Sequence, residues 1–202
     1  MRSRYEDSSF NGTMTALPRF GGPTFALQFR LQRLAWMVTW LLLASWTPPP
    51  FRRWRNFLLR SFGARIHPTA TIHAKAIVWW PGHLVMERYA SMGPGVICYD
   101  VAPITIAEFA SVSQRAHLCT GSHDVQDPEF PLISRPIVIC ANAWVAAEAF
   151  VGPGVTVGEG AILGARGVAA RSLKPWTIYV GNPVKPVGQR QPEAGASYAL
   201  RR

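Results

Sequence analysis

The stretch of this chain best equipped for chemistry is Thr120-Gly121-Ser122-His123-Asp124. A histidine held on a loop can take the proton of a hydroxyl as that oxygen attacks, an effect typically of ~10²–10⁴-fold in rate. A neutral hydroxyl is far too weak an acid to ionise on its own near neutral pH, so a positioned base is what such a reaction lacks. Asp124 either orients the imidazole or stays in solvent, and adjacency leaves both open. Cys119 lies close to His123, which raises a Cys–His acyl-enzyme as a second chemistry. It directly follows the aliphatic Leu118, just as Cys140 follows Ile139, so both cysteines read as parts of a scaffold.

That scaffold is visible as a six-residue rhythm. Aliphatic anchors fall at Ile66, Ile72 and Val78, at Met86, Met92 and Cys98, and at Ile106, Val112 and Leu118. They resume at Ile139, Val145, Val151, Val157 and Leu163, and fade through Ala169. Four residues after most anchors stands a small one, such as Ala70, Ala90, Ala110, Ala143 or Ala161. Neither the period of two of a strand nor the 3.6 of a helix accounts for a strict six. A parallel β-helix does: each unit is one short flat face and three units close a triangular coil. The coils then stack at the inter-strand spacing of roughly 4.8 Å.

The interruptions fall between triplets of anchors. Val78 to Met86 and Cys98 to Ile106 each hold two residues more than a repeat, and Leu118 to Ile139 holds fifteen more. All three insertions therefore belong to one corner of the triangle. Pro81-Gly82-His83, the segment from Asp100 to Pro103 and the loop from Cys119 to Pro136 should stack along one edge. Loops on a rigid scaffold are where function usually sits.

Before the rhythm, residues 1–24 read as a disordered leader and 25–63 as a basic amphipathic helical region; 64–188 form the β-helix and 189–202 a disordered tail. Leu27, Leu31, Leu34, Val38 and Leu41 recur at helical spacing. The uncharged run from Leu34 to Trp46 is thirteen residues, against the roughly 20 that span a bilayer. Pro48-Pro49-Pro50 ends this helix and begins a second, in which Phe51, Trp54, Leu58 and Phe62 share a face. The pair either covers the end of the solenoid, which needs covering in any case, or lies on an anionic membrane surface. The net charge of +10 over 202 residues suits phosphates or acidic lipid, and no nucleic-acid motif accompanies it. Three cysteines without a C-x-x-C pair fit a reducing compartment, and MRSRYEDSSF has no apolar core. The expected location is cytoplasmic, peripheral to the inner membrane face.

Taken together, the coils, the TGSHD loop, AWVAAEAFVGPGVTVGEGAILGAR and PWTIYVGNPVKPV resemble a hexapeptide-repeat acyltransferase. The chain is similar in particular to the colanic acid biosynthesis acetyltransferases, from the Trp-rich helices to Val187. The resemblance implies a mainly β fold, a left-handed parallel β-helix of about five coils with N-terminal helices and a protruding loop. It implies a homotrimer with active sites between subunits, acetyl-CoA as donor, no metal, and a sugar hydroxyl of an exopolysaccharide precursor as acceptor. By position His123 matches the catalytic base, and a backbone N–H near Ala147 the donor to the oxyanion. Trp144, Ala147, Ala165, Arg171 and Lys185 fall along the expected coenzyme A path, and Asp100 and Ser122 on the acceptor side. Ala146 replaces a usual Gly, and Ala169-Ala170-Arg171 a stretch that often has Thr before the basic residue. Two rival readings accompany this one. His83, His117 and His123 are spaced loosely like the zinc histidines of γ-class carbonic anhydrases, and the charge alone would allow a non-catalytic scaffold.

Overall fold

In a computed structural model, residues 24–191 are described; the expected leader to residue 23 and the tail from 192 lie outside them. Helix α1 (Leu27–Leu43) and helix α2 (Arg52–Ser61), joined through a 3₁₀ turn at Pro49–Phe51, precede the strands. Coil one is β1 (Arg65–Ile66), β2 (Thr71–Ile72) and β3 (Ile77–Val78); coil two is β4 (Leu84–Met86), β5 (Ser91–Met92) and β6 (Ile97–Tyr99). Coil three is β7 (Ile104–Ile106), β8 (Ser111–Val112) and β9 (His117–Cys119), after which β10 (Gly121–His123) and β11 (Leu132–Ser134) leave the stack. Coil four is β12 (Ile137–Ile139), β13 (Trp144–Val145) and β14 (Phe150–Val151); coil five is β15 (Thr156–Val157), β16 (Ile162–Leu163) and β17 (Val168–Ala169).

Three parallel sheets result. The first face stacks β1-β4-β7-β12-β15, the second β2-β5-β8-β13-β16 and the third β3-β6-β9-β14-β17. A sixth, incomplete turn follows beyond the expected five. Leu173 bridges Val157 on the first face, and β18 (Thr177–Val180) pairs with β16 on the second. There β19 (Lys185–Gln189) closes the sheet antiparallel to β18, and Arg190 donates to the carbonyl of Asn142, so the ordered body passes the expected boundary at 188. The anchors and the small residues after them, Ile72, Ala76, Leu118, Ala149 and Leu163 among them, are buried. A small residue is needed there because the corner narrows the interior. Corners also demand left-handed backbone: Tyr89, Phe109, Asn142 and Trp176 on the first–second edge, and Arg115, Glu148 and Arg166 on the second–third edge, all have φ between 55° and 60°. That conformation costs roughly 1–2 kcal/mol in an L-residue, so the corners are held by the ladder around them.

The helices solve a problem created by the coils. In each later coil, inward residues accept an N–H from the coil before: His67 N–H donates to Met86, Thr71 to Ala90, His73 to Met92 and Trp79 to Cys98. The corresponding coil-one carbonyls, at Ile66, Ala70, Ile72 and Val78, have no earlier coil. A buried carbonyl without a donor costs about 1–3 kcal/mol. Side chains supply the donors: Arg60 Nε to Ile66, Asn56 Nδ2 to Ala70, Arg55 Nε to Ile72 and Trp36 Nε1 to Val78, at 2.8–2.9 Å. Arg52 and Arg33 add bonds to the carbonyls of Thr69 and Trp79. The expected shared face of α2 is therefore rotated. Arg55, Asn56, Leu58 and Leu59 are buried while Phe51 and Trp54 are exposed.

The three insertions stack along the third–first edge. Asp100 is fully buried there, its Oδ1 accepting the Trp80 N–H at 2.9 Å, and its carbonyl accepting His83 Nδ1–H at 2.8 Å. Its other oxygen has no partner among the described residues, and burial pushes its pKa up to about 8. The carboxyl is thus held largely protonated at neutral pH, against an ordinary value of 3.8.

Two outcomes are expected. Arg55 also donates to the carbonyls of Pro48 and Pro49 and to Thr47 Oγ1, so Arg55→Met should cost about 3 kcal/mol in urea unfolding. For Asp100, both states are protonated below the unfolded pKa, and above it only the unfolded state releases the proton. Stability should fall from about pH 4 to about pH 8 as this contribution is lost. Asp100→Asn should flatten that slope and gain at least about 1 kcal/mol at pH 8 relative to pH 4. Parallel stability–pH curves for the two proteins would refute this account.

Candidate active site

His123 is the last residue of β10, where the two-stranded hairpin with β11 pairs it to Leu132. The hairpin springs from the third–first edge at Thr120. That hydroxyl donates to the Tyr99 carbonyl and accepts the Ala102 N–H, tying the hairpin root to the insertion below. Gly121 is required beside it, because a Cβ there would stand 2.9 Å from the Tyr99 ring. The hairpin's far end is a polar turn. Asp124 Oδ1 accepts the Gln126 N–H at 3.0 Å, and Asp127 Oδ1 the Glu129 N–H at 2.9 Å. Asp124 therefore shapes the turn, and the group that orients the imidazole is a different one.

That group is Phe130. Its ring stacks on the imidazole at 4.4 Å between centroids and 7° between planes. Its carbonyl lies 2.9 Å from His123 Nδ1. A carbonyl oxygen can only accept, so Nδ1 carries a proton, and in the neutral imidazole Nε2 is the nitrogen that keeps its lone pair. Phe130 itself has φ of 49°, which turns its carbonyl back toward the histidine. No spacing rule announces this partner, because the contact closes across the hairpin turn. Ser122 is exposed and lines an open groove of about 230 Å³ with Ile133, Ser134, Arg135 and Pro153.

Cys119 is poorly set for nucleophilic work. Its thiol donates to the Gly121 carbonyl at 3.4 Å, and burial raises its pKa. Burial raises Cys140 as well. The three histidines of the metal reading each have another neighbour: His83 the Asp100 carbonyl, His117 the edge of Phe150 and His123 the Phe130 ring. Among the described residues no group of three or more His, Cys, Asp or Glu is arranged to hold a metal ion.

The remaining residues divide between two edges. Ala147 sits on the second–third edge between β13 and β14, and Ala165 on the same edge one coil later. The Ala147 carbonyl accepts the Arg166 N–H at 2.9 Å, while its own N–H is not taken up by the ladder. Beside it an ion-pair chain runs from Arg115 to Glu148 to Arg166, which holds the Glu148 carboxyl below the usual carboxylate range. Trp144 is exposed on the second face, its indole N–H donating to Ser113 Oγ at 2.8 Å. Lys185, paired with Val180, lies toward the second–third edge, whereas Arg171 follows β17 and belongs to the hairpin's edge. Asp100 is shut inside the third–first corner, its carboxyl turned away from solvent. Within one chain, then, the structure keeps His123 and Ala147 on different edges.

No family model matches the chain. Among solved structures it shares its fold with a maltose O-acetyltransferase from Clostridium difficile 630, at TM-score 0.74 and 18% identity, covering 83% of this chain and 90% of that one. A hexapeptide-repeat acetyltransferase from Vibrio cholerae O1 biovar eltor, complexed with acetyl coenzyme A, superposes at TM-score 0.72 and 20% identity, covering 83% and 91%. In sequence it is 37% identical over 155 residues to the "Putative colanic acid biosynthesis acetyltransferase WcaF" of Escherichia coli K12, which covers 77% of this chain and 85% of that relative. With its six-residue coils and that degree of identity, the chain belongs to the hexapeptide-repeat acetyltransferases of the WcaF family.

Proposed function

We propose that this acetyltransferase moves the acetyl group of acetyl-CoA to a sugar hydroxyl of a cell-surface polysaccharide precursor, with His123 as general base. The observation that carries the proposal is the hydrogen bond from His123 Nδ1 to the Phe130 carbonyl, which leaves Nε2 free to accept a proton. The naming of WcaF for colanic acid biosynthesis supports the acceptor class, and the Clostridium difficile neighbour is named for acetylation of a sugar hydroxyl. Acetyl-CoA, when bound, brings a thioester whose thiolate leaves readily, so the attacking hydroxyl is the partner that needs help.

His123 gives that help by taking the hydroxyl proton at Nε2. The imidazolium that develops keeps its Nδ1–H on the Phe130 carbonyl, and the flat stack against the Phe130 ring holds the imidazole plane in place. The Ala147 N–H is a fitting donor to the negative charge on the carbonyl oxygen, because the ladder leaves it unspent. Small side chains at Ala146, Ala147 and Ala165 leave room along that edge for an extended donor, and Lys185 suits its phosphates, while Arg171, on the hairpin's edge, could meet them only from a neighbouring copy. Since His123 and Ala147 stand on different edges of one prism, they can serve one reaction only across a subunit boundary. A closed homotrimer, which brings a second–third edge of one copy to a third–first edge of the next, meets that need.

The purified protein should elute with three times the 22.3 kDa chain mass by light scattering. With labelled acetyl-CoA and a panel of free, nucleotide-linked and lipid-linked sugars, His123→Ala should lower kcat by about 10²–10⁴-fold while donor binding is unchanged. Transfer that survives this substitution undiminished would remove His123 from the mechanism.

A further inference from the structure

Helix α1 has two apolar faces, and the solenoid covers only one. Trp36, Trp40 and Ala44 are buried against coil one, with Trp36 hydrogen-bonded to the Val78 carbonyl. On the opposite side Leu27, Leu31, Leu34, Val38 and Leu41 form a stripe at the spacing of successive helical turns, and Leu34 and Leu41 are 56% and 64% exposed. The stripe does not stop at the helix end. The Trp46 indole N–H folds back onto the Leu42 carbonyl, and the Trp54 indole N–H of α2 donates to Leu43 at 2.8 Å. Trp54 in turn stacks with exposed Phe57. The two helices therefore present one continuous apolar surface edged by tryptophans. A contiguous surface of this kind on a soluble protein marks an interaction site.

Charge selects the partner. Residues 25–63 contain six arginines and no aspartate or glutamate. Four of the arginines, Arg33, Arg52, Arg55 and Arg60, are spent on coil-one or inter-helix carbonyls. Arg30 and Arg53 are exposed. A second copy docked face to face through the same cap would bring like charges together with no acid to answer them. An anionic bilayer offers the opposite: lipid tails for the stripe, headgroups for the tryptophans and phosphates for the arginines. No described helix is long and apolar enough to cross a membrane. At about 1.5 Å per residue the 17 residues of α1 reach only ~25 Å, so the fitting geometry is a helix lying in the interface plane.

We propose that the outer face of α1, continued by Trp46, Trp54 and Phe57, docks this protein peripherally on an anionic membrane surface. This surface lies on the cap and is independent of the acetyl-transfer reading. It has a consequence for orientation, because Phe25 and Phe29 at the start of α1 pack on Trp79, which packs on Tyr99 beneath the hairpin root. The edge that carries His123 is thus continuous with the docking helix.

The test is flotation of the full-length protein with vesicles of phosphatidylcholine alone and of phosphatidylcholine mixed with phosphatidylglycerol, at low and high salt. The wild type should float with the anionic vesicles at low salt and lose much of that binding at high salt. Leu34→Glu with Leu41→Glu should abolish flotation while leaving the circular dichroism melt in place, since both side chains point to solvent. Arg30→Gln and Arg53→Gln should each weaken anionic binding about fivefold, the equivalent of ~1 kcal/mol per basic residue at such a surface. No flotation at low salt would overturn the proposal, and so would flotation that survives the double glutamate substitution. A wild type that stays off the vesicles, and whose mass in solution drops in the double variant, would assign the face to another copy of the chain instead.

Discussion

Each coil of this solenoid receives N–H donors from the coil before it, and the first coil has no predecessor. That asymmetry governs the N-terminal third of the chain. Four inward carbonyls at Ile66, Ala70, Ile72 and Val78 would otherwise be closed off from water without a donor. The chain meets them with side chains rich in N–H: the guanidinium groups of Arg55 and Arg60, the amide of Asn56 and the indole of Trp36. An aliphatic cap could cover the same end but would leave those carbonyls unbonded. The arginines that make this region look like a simple basic patch are in large part structural. The opposite end is closed differently, by a strand that turns back antiparallel on β18.

The stack then dictates where chemistry can be placed. Its faces are short ladders with buried aliphatic interiors, which leave edges and insertions for function. The third–first edge takes all three insertions, and they support one another: His83 on the Asp100 carbonyl, Asp100 on the Trp80 N–H, and Thr120 on Tyr99 and Ala102. His123 stands at the end of that column, its tautomer set by a backbone carbonyl seven residues away. The second–third edge, with Ala147 and Ala165, is regular and unadorned apart from its ion pairs. With His123 on one edge and Ala147 on another, the roles proposed for them would be met only by two copies of the chain. That requirement is what favours an assembled enzyme.

The resulting division of labour explains two departures from simple pattern reading. Asp124, next to His123 in sequence but past the end of β10, turns to its own loop because a short carboxylate readily reaches the N–H two residues on. Asp100, in the column of insertions, is buried with an unpartnered oxygen and a raised pKa. It serves the corner as a mostly neutral acid, where burial outweighs its backbone hydrogen bonds.

The amino-acid sequence by itself determined the solenoid, because a six-residue period of buried anchors and small corner residues fits no other regular element. It also located the edge, since insertions counted between anchor triplets can share only one corner. On that edge it offered His123 as the candidate base for the proposed reaction. What only the tertiary structure decided are contacts between residues far apart in the chain or closed across a turn. These are the Phe130 carbonyl behind His123, the sixth turn built from Leu173 and β18, the burial of Asp100, and the inward turn of Arg55 and Arg60. The physical reason is common to all four. Periodicity reports which side chains face the core, whereas the direction of a hydrogen bond depends on which backbone groups are left without a neighbour once the coils have stacked.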